Sequence, residues 1–512
     1  MQNNVLSIWL WNQELGRIYW DKIQSRAVFE YSSAFISAGI DVAPLSASIH
    51  SVAASRPIVG NKDILYQGLP PFIADSLPDK WGSLVFECWA KENKIQSKDI
   101  TPVDKLAFIG KRAMGALEFR PAVELAEVQE ELVLASLYDL AQRIFDERTD
   151  VMVLPEESLT LQSLYAVGTS AGGKHPKAII AIHNDTHEIR SGQIDLGDDY
   201  TYYILKFAET DRFPYTQVEQ AYYEMATAAG ITMMPSRLVE VDGKKHFLTE
   251  RFDRRAGKRI HIQTLAAMST TADSYEDLLR VARLLQVPQG EQDELFVRMV
   301  FNVFGANVDD HQKNFSFRMT ERGEWHITPA YDMTFTTNPD ASGYENNHCI
   351  SVRGKVADVT EDDLLQFAAE NSISRANGMV DRVAAVLSEC WTYLKAQGID
   401  DYWADKIEES LASLLPERFA ARMTHHLPTP VPDYTTDDGH AVSGVQWRET
   451  GKHELLLYAK VDEVDKRYVW GANSTIGRKI MAAGWKHMPV EMTKKYVKEY
   501  LLGKKMQAKL AK

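Results

Sequence analysis

The sequence predicts an α+β protein: a small α+β unit first, a strand-rich lobe next, and a mostly helical lobe after that. Three observations carry this. Short β-branched and aromatic runs crowd the N-terminal quarter and recur up to about residue 255. After Arg255, long runs with apolar residues at helical spacing take over. Between them the order is strand, strand, helix, strand, strand, which suits an antiparallel sheet with a helix and not a parallel βαβ array.

Residues 1–125 form the first expected unit. VLSIWLW enters a turn at NQELG, RIYW and RAVFEY are short strands, and PPFIADSLPDKWGSLVFECWAKEN carries helical spacing after proline-rich starts. GALEFRP closes the unit as a strand. Residues 126–255 begin with an acidic helical bridge, EVQEELVLASLYDLAQRIFDE. A glycine-rich turn, GTSAGGKHPK, then leads into the strand AIIAI. DYTYYILKFAE is a strand, YTQVEQAYYEMATAAG a helix ending on glycine, and RLVEV and KHFLTERF flank a hairpin turn at Asp242 and Gly243. In residues 256–426 the helices are YEDLLRVARLLQ, EQDELFVRMVFNVFG, TEDDLLQFAAEN with Thr360 and Asp363 at capping-box spacing, and RANGMVDRVAAVLSECWTYLKAQG as one helix. Residues 427–512 open with a linker, LPTPVPDYTTDDG, followed by strands in HELLLYAKV and RYVWGA and a basic helix, MTKKYVKEYLLGKK.

A length of 512 residues exceeds one compact core, which fits several such units. The apolar fraction of 45% and charged fraction of 25% are those of an ordinary globular protein. A net charge of -14 argues against a nucleic-acid surface along the whole chain, although Lys and Arg outnumber Asp and Glu ten to two from Gly471 onward. Three scattered cysteines, Cys88, Cys349 and Cys390, exclude a disulfide framework and a CxxC metal site. No secretory leader and no run of about 18 apolar residues is present, so a cytoplasmic protein without a membrane partner is expected.

The motif richest in chemistry is NVDDHQKNFSF, which follows an apolar helix and precedes a strand. Asp309 and Asn314 stand five apart, the spacing of a protein-kinase catalytic loop. A carboxylate there orients an attacking hydroxyl, an amide oxygen holds magnesium, and a lysine between them, Lys313, offsets charge on the moving phosphoryl group. Eighteen residues on, EWHITPAYDMTF ends a strand at Asp332, where a second carboxylate can return to the same ion. HRD and DFG are both absent. The residues alone also fit a capped turn, or a metal site of Asp309, Asp310 and His311.

Three weaker signals precede it. GTSAGGKHPK can bring backbone amides to phosphate, or be a plain hairpin loop. Lys206, in the apolar strand YYILKFAE, needs a partner if buried; Glu219 and Glu224 on the next helix are candidates, and an outward-facing lysine is the alternative. LTERFDR puts Glu250, Arg251 and Phe252 at a strand end, where backbone amides can face an adenine base or simply solvent. Loop, lysine, glutamate, hinge, Asp-x4-Asn and a later Asp stand in the order that a two-lobed kinase needs.

In these motifs the chain resembles the HipA family of bacterial serine/threonine kinases, the toxins of toxin–antitoxin systems. The likeness runs from residue 1 to about 420, through FIADSLPD, IGKRAMGALEF, SAGGKHPKA, ILKF, VEQAYYEMATAAGI, ERFDR, DDHQKNFS and PAYDMT. It implies an atypical protein-kinase-like fold, ATP and Mg2+ as ligands, and Asp309 as the catalytic aspartate. It implies that Asn314 and Asp332 hold the metal. The nucleotide would be bound by Gly172, Gly173, Lys174, His175, Pro176, Lys177, Lys206, Glu250, Arg251, Phe252, His311, Lys313 and Tyr331. Ser170 matches the residue at which some members autophosphorylate. The family further implies a small helix-turn-helix antitoxin, DNA reached only through it, and a protein substrate such as a translation factor or aminoacyl-tRNA synthetase. A small-molecule kinase, or a silent nucleotide-binding scaffold in a repressor complex, are the alternatives.

Overall fold

A computed structural model describes residues 5–51, 56–125, 132–147, 158–168, 175–209, 213–255, 257–338, 346–425, 431–450, 454–471, 474–482 and 485–502. The chain divides into two compact units, 1–383 and 384–512.

The larger unit starts with strands β1 (Val5–Leu10), β2 (Gln13–Asp21) and β3 (Arg26–Tyr31), the short helix α1 (Ser33–Ala38), and β4 (Ile58–Val59). Leu6, Ile8 and Leu10 alternate into the core, the two-residue period of a half-buried strand. Helices α2 (Pro71–Ala74), α3 (Lys80–Glu92) and α4 (Pro102–Ile109) follow, and β5 (Leu117–Arg120) completes an antiparallel sheet of order β4-β3-β2-β1-β5. The stretch expected as one helical region is thus α2 and α3, separated by the turn DSLPD. Asp79 caps α3 by accepting the Gly82 N–H at 2.7 Å. Helices α5 (Leu134–Glu147) and α6 (Ser158–Val167) pack into one core with Trp81, Phe86, Trp89 and Phe108.

A second antiparallel sheet, of order β7-β6-β8-β10-β9, is built from β6 (Lys177–His183), β7 (Ile189–Ser191), β8 (Tyr200–Lys206), β9 (Ser236–Val241) and β10 (Lys244–Glu250). Helix α7 (Tyr215–Ala228) connects β8 to β9. Asp242 and Gly243 have φ of 48° and 72°, the paired left-handed residues that a tight hairpin needs. The ribbon β11 (Arg254–Arg255) and β12 (Lys258–Arg259) leads into β13 (His261–Thr264), α8 (Leu265–Met268), α9 (Tyr275–Leu284) and α10 (Gln289–Phe304). Strands β14 (Ser316–Met319) and β15 (Trp325–Ile327) pair beside β13, and α11 (Glu361–Glu370) carries the Thr360/Asp363 capping box. Strand β15 ends at Ile327, five residues short of Asp332, because Pro329 cannot continue a ladder.

The long helix expected from residue 375 onward is two: α12 (Ala376–Leu387) and α13 (Cys390–Ala396). Ser388 breaks it, its hydroxyl donating back to the Ala385 carbonyl at 2.7 Å. In the second unit α13 precedes α14 (Asp401–Leu414) and α15 (Glu417–Ala420). An antiparallel sheet follows: β16 (Tyr434–Thr435), β17 (Ala441–Thr450), β18 (Glu454–Val461) and β19 (Val464–Trp470). Part of the expected linker is therefore a strand and its turn, since the same Asp-Asp-Gly composition serves both. Helices α16 (Thr475–Ala482) and α17 (Val490–Tyr496) come last, the latter passing into a wider π turn over Val497–Leu502. Val497, Tyr500 and Leu501 are buried in one cluster with Trp447, Leu457 and Trp470, while Lys495 and Lys498 face solvent. No helix among the described residues is long and apolar enough to cross a membrane.

Two buried histidines tie the fold to pH. His246 accepts the Ala208 N–H at 2.9 Å between the rings of Tyr138 and Phe207, and His261 is enclosed on β13. Burial pulls both down to about 4 from 6.5. The unfolded chain therefore takes up these protons first as pH falls. The histidine contribution should be constant above pH 7, decline from about 6.5, and cost roughly 3 kcal/mol through His261 alone by pH 4. Urea midpoints measured across that window test this. The decline should be shallower in His246→Gln, and an unchanged slope would count against it.

Candidate active site

Lysines meet on the second sheet. Lys177 and Lys206 are directly opposed across β6 and β8, so their side chains share a face. Two ammonium groups so placed repel unless anions lie between or beside them. Lys206 Nζ bonds Glu219 of α7 at 2.6 Å and also bonds Asp332. Glu219 is the partner of the two candidates. Burial disfavours the charge on Lys206, but Asp332 and Glu219 outweigh it and raise its pKa above the ordinary lysine value. Burial likewise opposes ionisation of Asp332, and Lys206 and Lys177 overcome it, so its pKa stays below the usual range. On Glu219 burial wins and the pKa rises; on Lys177 burial wins and the pKa falls. Asp332 has φ of 52°, a left-handed conformation that aspartate tolerates better than most residues.

The loop after α10 carries the other residues. Helix α10 is buried from Leu295 through Phe304, which fixes where the loop begins. The Thr336 hydroxyl accepts the N–H groups of Val308 and Asp309 at 2.7 and 3.1 Å, and Asn314 Nδ2 donates to the Asp309 carbonyl at 2.7 Å. Asp309 is therefore held by its backbone while its carboxylate is 62% exposed. Asp310 faces the other way. Its buried carboxylate accepts the Tyr275 hydroxyl at 2.6 Å, His348 Nδ1 at 2.8 Å and the Cys349 N–H at 2.8 Å. Asn302 and Asn307 extend this network through bonds of 3.0 and 2.9 Å. A metal site of Asp309, Asp310 and His311 is thus not formed, and no such cluster exists among the described residues.

Asn314 has its amide nitrogen committed, which leaves the amide oxygen to face a ligand. That oxygen and the Asp332 carboxylate are the hard donors that magnesium prefers. His311 Nδ1 is buried without a partner, an orphaned polar atom on the same loop. The Tyr331 hydroxyl lies 2.5 Å from Ser316 Oγ and donates to the Lys313 carbonyl at 2.8 Å, and its ring stacks on Phe252 at 6.0 Å. Phe252, Tyr331 and the loop after α10 therefore meet.

The other residues expected to contact the nucleotide do otherwise. The Glu250 and Arg251 N–H groups are spent on the Pro235 and Tyr202 carbonyls at 3.0 and 2.8 Å, so they do not present amides to a base. The Arg251 guanidinium is fully buried and pairs with Asp253 at 2.8 Å, a structural contact. His175 bonds Glu209, and the Pro176 carbonyl accepts the Phe207 N–H at 3.0 Å, which continues the β6–β8 pairing just beyond the two lysines. Ser170, Gly172, Gly173 and Lys174 lie outside the described residues.

Residues 6–120 match the HipA N-terminal domain, and residues 169–391 match the HipA-like C-terminal domain. The chain belongs to the HipA family. A curated relative, the putative kinase Y4mE of Sinorhizobium fredii (strain NBRC 101917 / NGR234), is 26% identical over 76% of this chain and 92% of its own. Among solved structures, HipA of the Shewanella oneidensis MR-1 toxin–antitoxin system, in a complex with HipB and its operator DNA, superposes with a TM-score of 0.56. It is 16% identical and covers 82% of this chain and 96% of that one, a likeness of fold.

In this HipA-family chain, sequence reasoning overlooked Tyr275, Thr336 and His348 as supports of the loop. Each lies 27 to 38 residues from its partner, so no local spacing signals it. It also overlooked Asp79. SLPDKWG reads as a helix cap, and its carboxylate additionally lies 3.5 Å from Lys177.

Proposed function

We propose that this HipA-family protein transfers the γ-phosphoryl group of Mg-ATP to a serine or threonine of a protein, as the toxin of a toxin–antitoxin pair. The observation that carries this is Lys206 bridging a helix carboxylate, Glu219, and the loop carboxylate, Asp332, with Lys177 across the strand. Ion pairs of this kind align a phosphate-gripping lysine with a metal-holding aspartate.

Asp309 orients the acceptor hydroxyl and takes its proton, a role that suits an exposed carboxylate on a rigid backbone. Asn314 and Asp332 would hold the metal. When bound, magnesium neutralises phosphate charge. Lys206 and Lys177 grip the phosphates, and Lys313 offsets charge near the acceptor. Phe252, Tyr331 and His311 line the nucleotide, so most of the rate comes from positioning and fixed charge. The relative solved with HipB and operator DNA supports an antitoxin partner. Ser170 is the candidate autophosphorylation site.

The test is incubation with Mg-ATP, alone and with cell lysate, followed by phosphopeptide mass spectrometry. Phosphate on Ser170 or on lysate proteins is expected. Label found only on small molecules would replace the protein substrate, and label nowhere would refute the activity.

A further inference from the structure

The N-terminal sheet and its helices would be a bystander if nucleotide binding belonged to the second sheet alone. The first turn of α3 argues otherwise. It holds Lys177 at two points: Asp79 Oδ2 lies 3.5 Å from the ammonium, and Trp81 Nε1 donates to the Lys177 carbonyl at 2.9 Å, the latter bond buried. Asp79 divides its carboxylate between two tasks, since Oδ1 accepts the Gly82 N–H at 2.7 Å as the cap of α3. The preceding turn anchors a second point nearby. Asp75 accepts both the N–H and the hydroxyl of Thr264 at 2.7 Å, where β13 enters α8.

We propose that Asp79 is a positioning residue for the phosphate site: it keeps Lys177 charged and aimed, which makes α3 a working part of the nucleotide site. This rests on the kinase reading above. The electrostatics require such a counter-charge. The Lys177 side chain is 3% exposed and lies opposite a second ammonium, Lys206. Desolvation and like-charge repulsion both drive it toward the neutral amine, which would grip phosphate poorly. Asp79 opposes both. Its charge comes from the N-terminal part of the fold, so α3 and the second sheet meet at Lys177.

The capping and pairing roles separate experimentally. Asparagine caps a helix as well as aspartate does but carries no charge. Asp79→Asn should therefore melt near the parent temperature yet bind Mg-ATP about tenfold more weakly, with KM raised more than kcat is lowered. Its binding should also weaken at a lower pH on the alkaline side than the parent's, as Lys177 loses its proton earlier. A Lys177→Met background provides a second measurement that does not depend on the folding of one variant. There Asp79→Asn should add no further loss of affinity, because the group it positions is gone. Affinity and alkaline profile equal to the parent's would overturn the proposal, as would a full additional loss in the Lys177→Met background. Absence of Mg-ATP binding by the parent protein would instead overturn the nucleotide reading itself.

Discussion

Asp309→Ala is expected to bind Mg-ATP nearly as tightly as the parent and to lose phosphoryl transfer by about a thousandfold, the scale of removing a positioned base. The loop should survive the change because its supports are not the side chain. Alanine keeps the N–H that donates to Thr336 and the carbonyl that accepts from Asn314. Asp310, whose buried carboxylate keeps its three donors, is untouched. Single-turnover transfer of labelled phosphate, read beside a thermal-shift titration with Mg-ATP, separates binding from chemistry. Transfer at the parent rate would remove Asp309 from the mechanism.

The largest effect on stability is expected at Asp253. Its buried carboxylate accepts from Arg251 at 2.8 Å, from Arg254 at 2.7 Å and from the Gly115 N–H at 2.7 Å. Arg254 also donates to the Gly115 and Ala113 carbonyls at 2.9 Å each, joining the N-terminal sheet region to the strand end that carries Phe252. Asp253→Ala would leave two guanidinium groups buried without their anion, at a cost of about 4 kcal/mol. Urea unfolding measures it, and a loss under about 1 kcal/mol would contradict the assignment. Burial opposes the Asp253 charge, but Arg251 and Arg254 outweigh it and hold its pKa far below the ordinary 3.8. A depressed carboxyl pKa stabilises above the unfolded value and is lost only as pH falls through the folded one. The decline expected between pH 6.5 and 4 therefore belongs to the histidines and not to this cluster.

Much of the site was legible because its chemistry is local. Asp309 and Asn314 sit on one short loop, and a lysine among apolar strand residues announces that it has partners. Period and capping likewise revealed the α11 cap and the strands of the first two sheets except the short β4 and β7. What could not be read depends on distance. Asp310 and Asp309 are adjacent and alike in sequence, yet one faces solvent and the other three long-range donors. Arg251 reads as a nucleotide contact in the sequence, but its guanidinium is buried against Asp253 two residues on. The break at Ser388 and the strand at Tyr434 were missed because serine and Asp-Gly turns look the same inside a helix end, a linker or a hairpin.

The lysines opposed across β6 and β8 also bear on the order in which ligands arrive. Lys177 and Lys206 face three carboxylates, those of Asp79, Glu219 and Asp332. With all three ionised, these five groups carry one net negative charge before any ligand enters. A bare polyphosphate would add to that imbalance and compete with Asp332 for Lys206. One arriving with its divalent cation brings a partner for Asp332 and frees the ammonium for phosphate. On the proposed reading, the centre discriminates between loaded and metal-free nucleotide by charge balance alone, and added salt should blunt that preference.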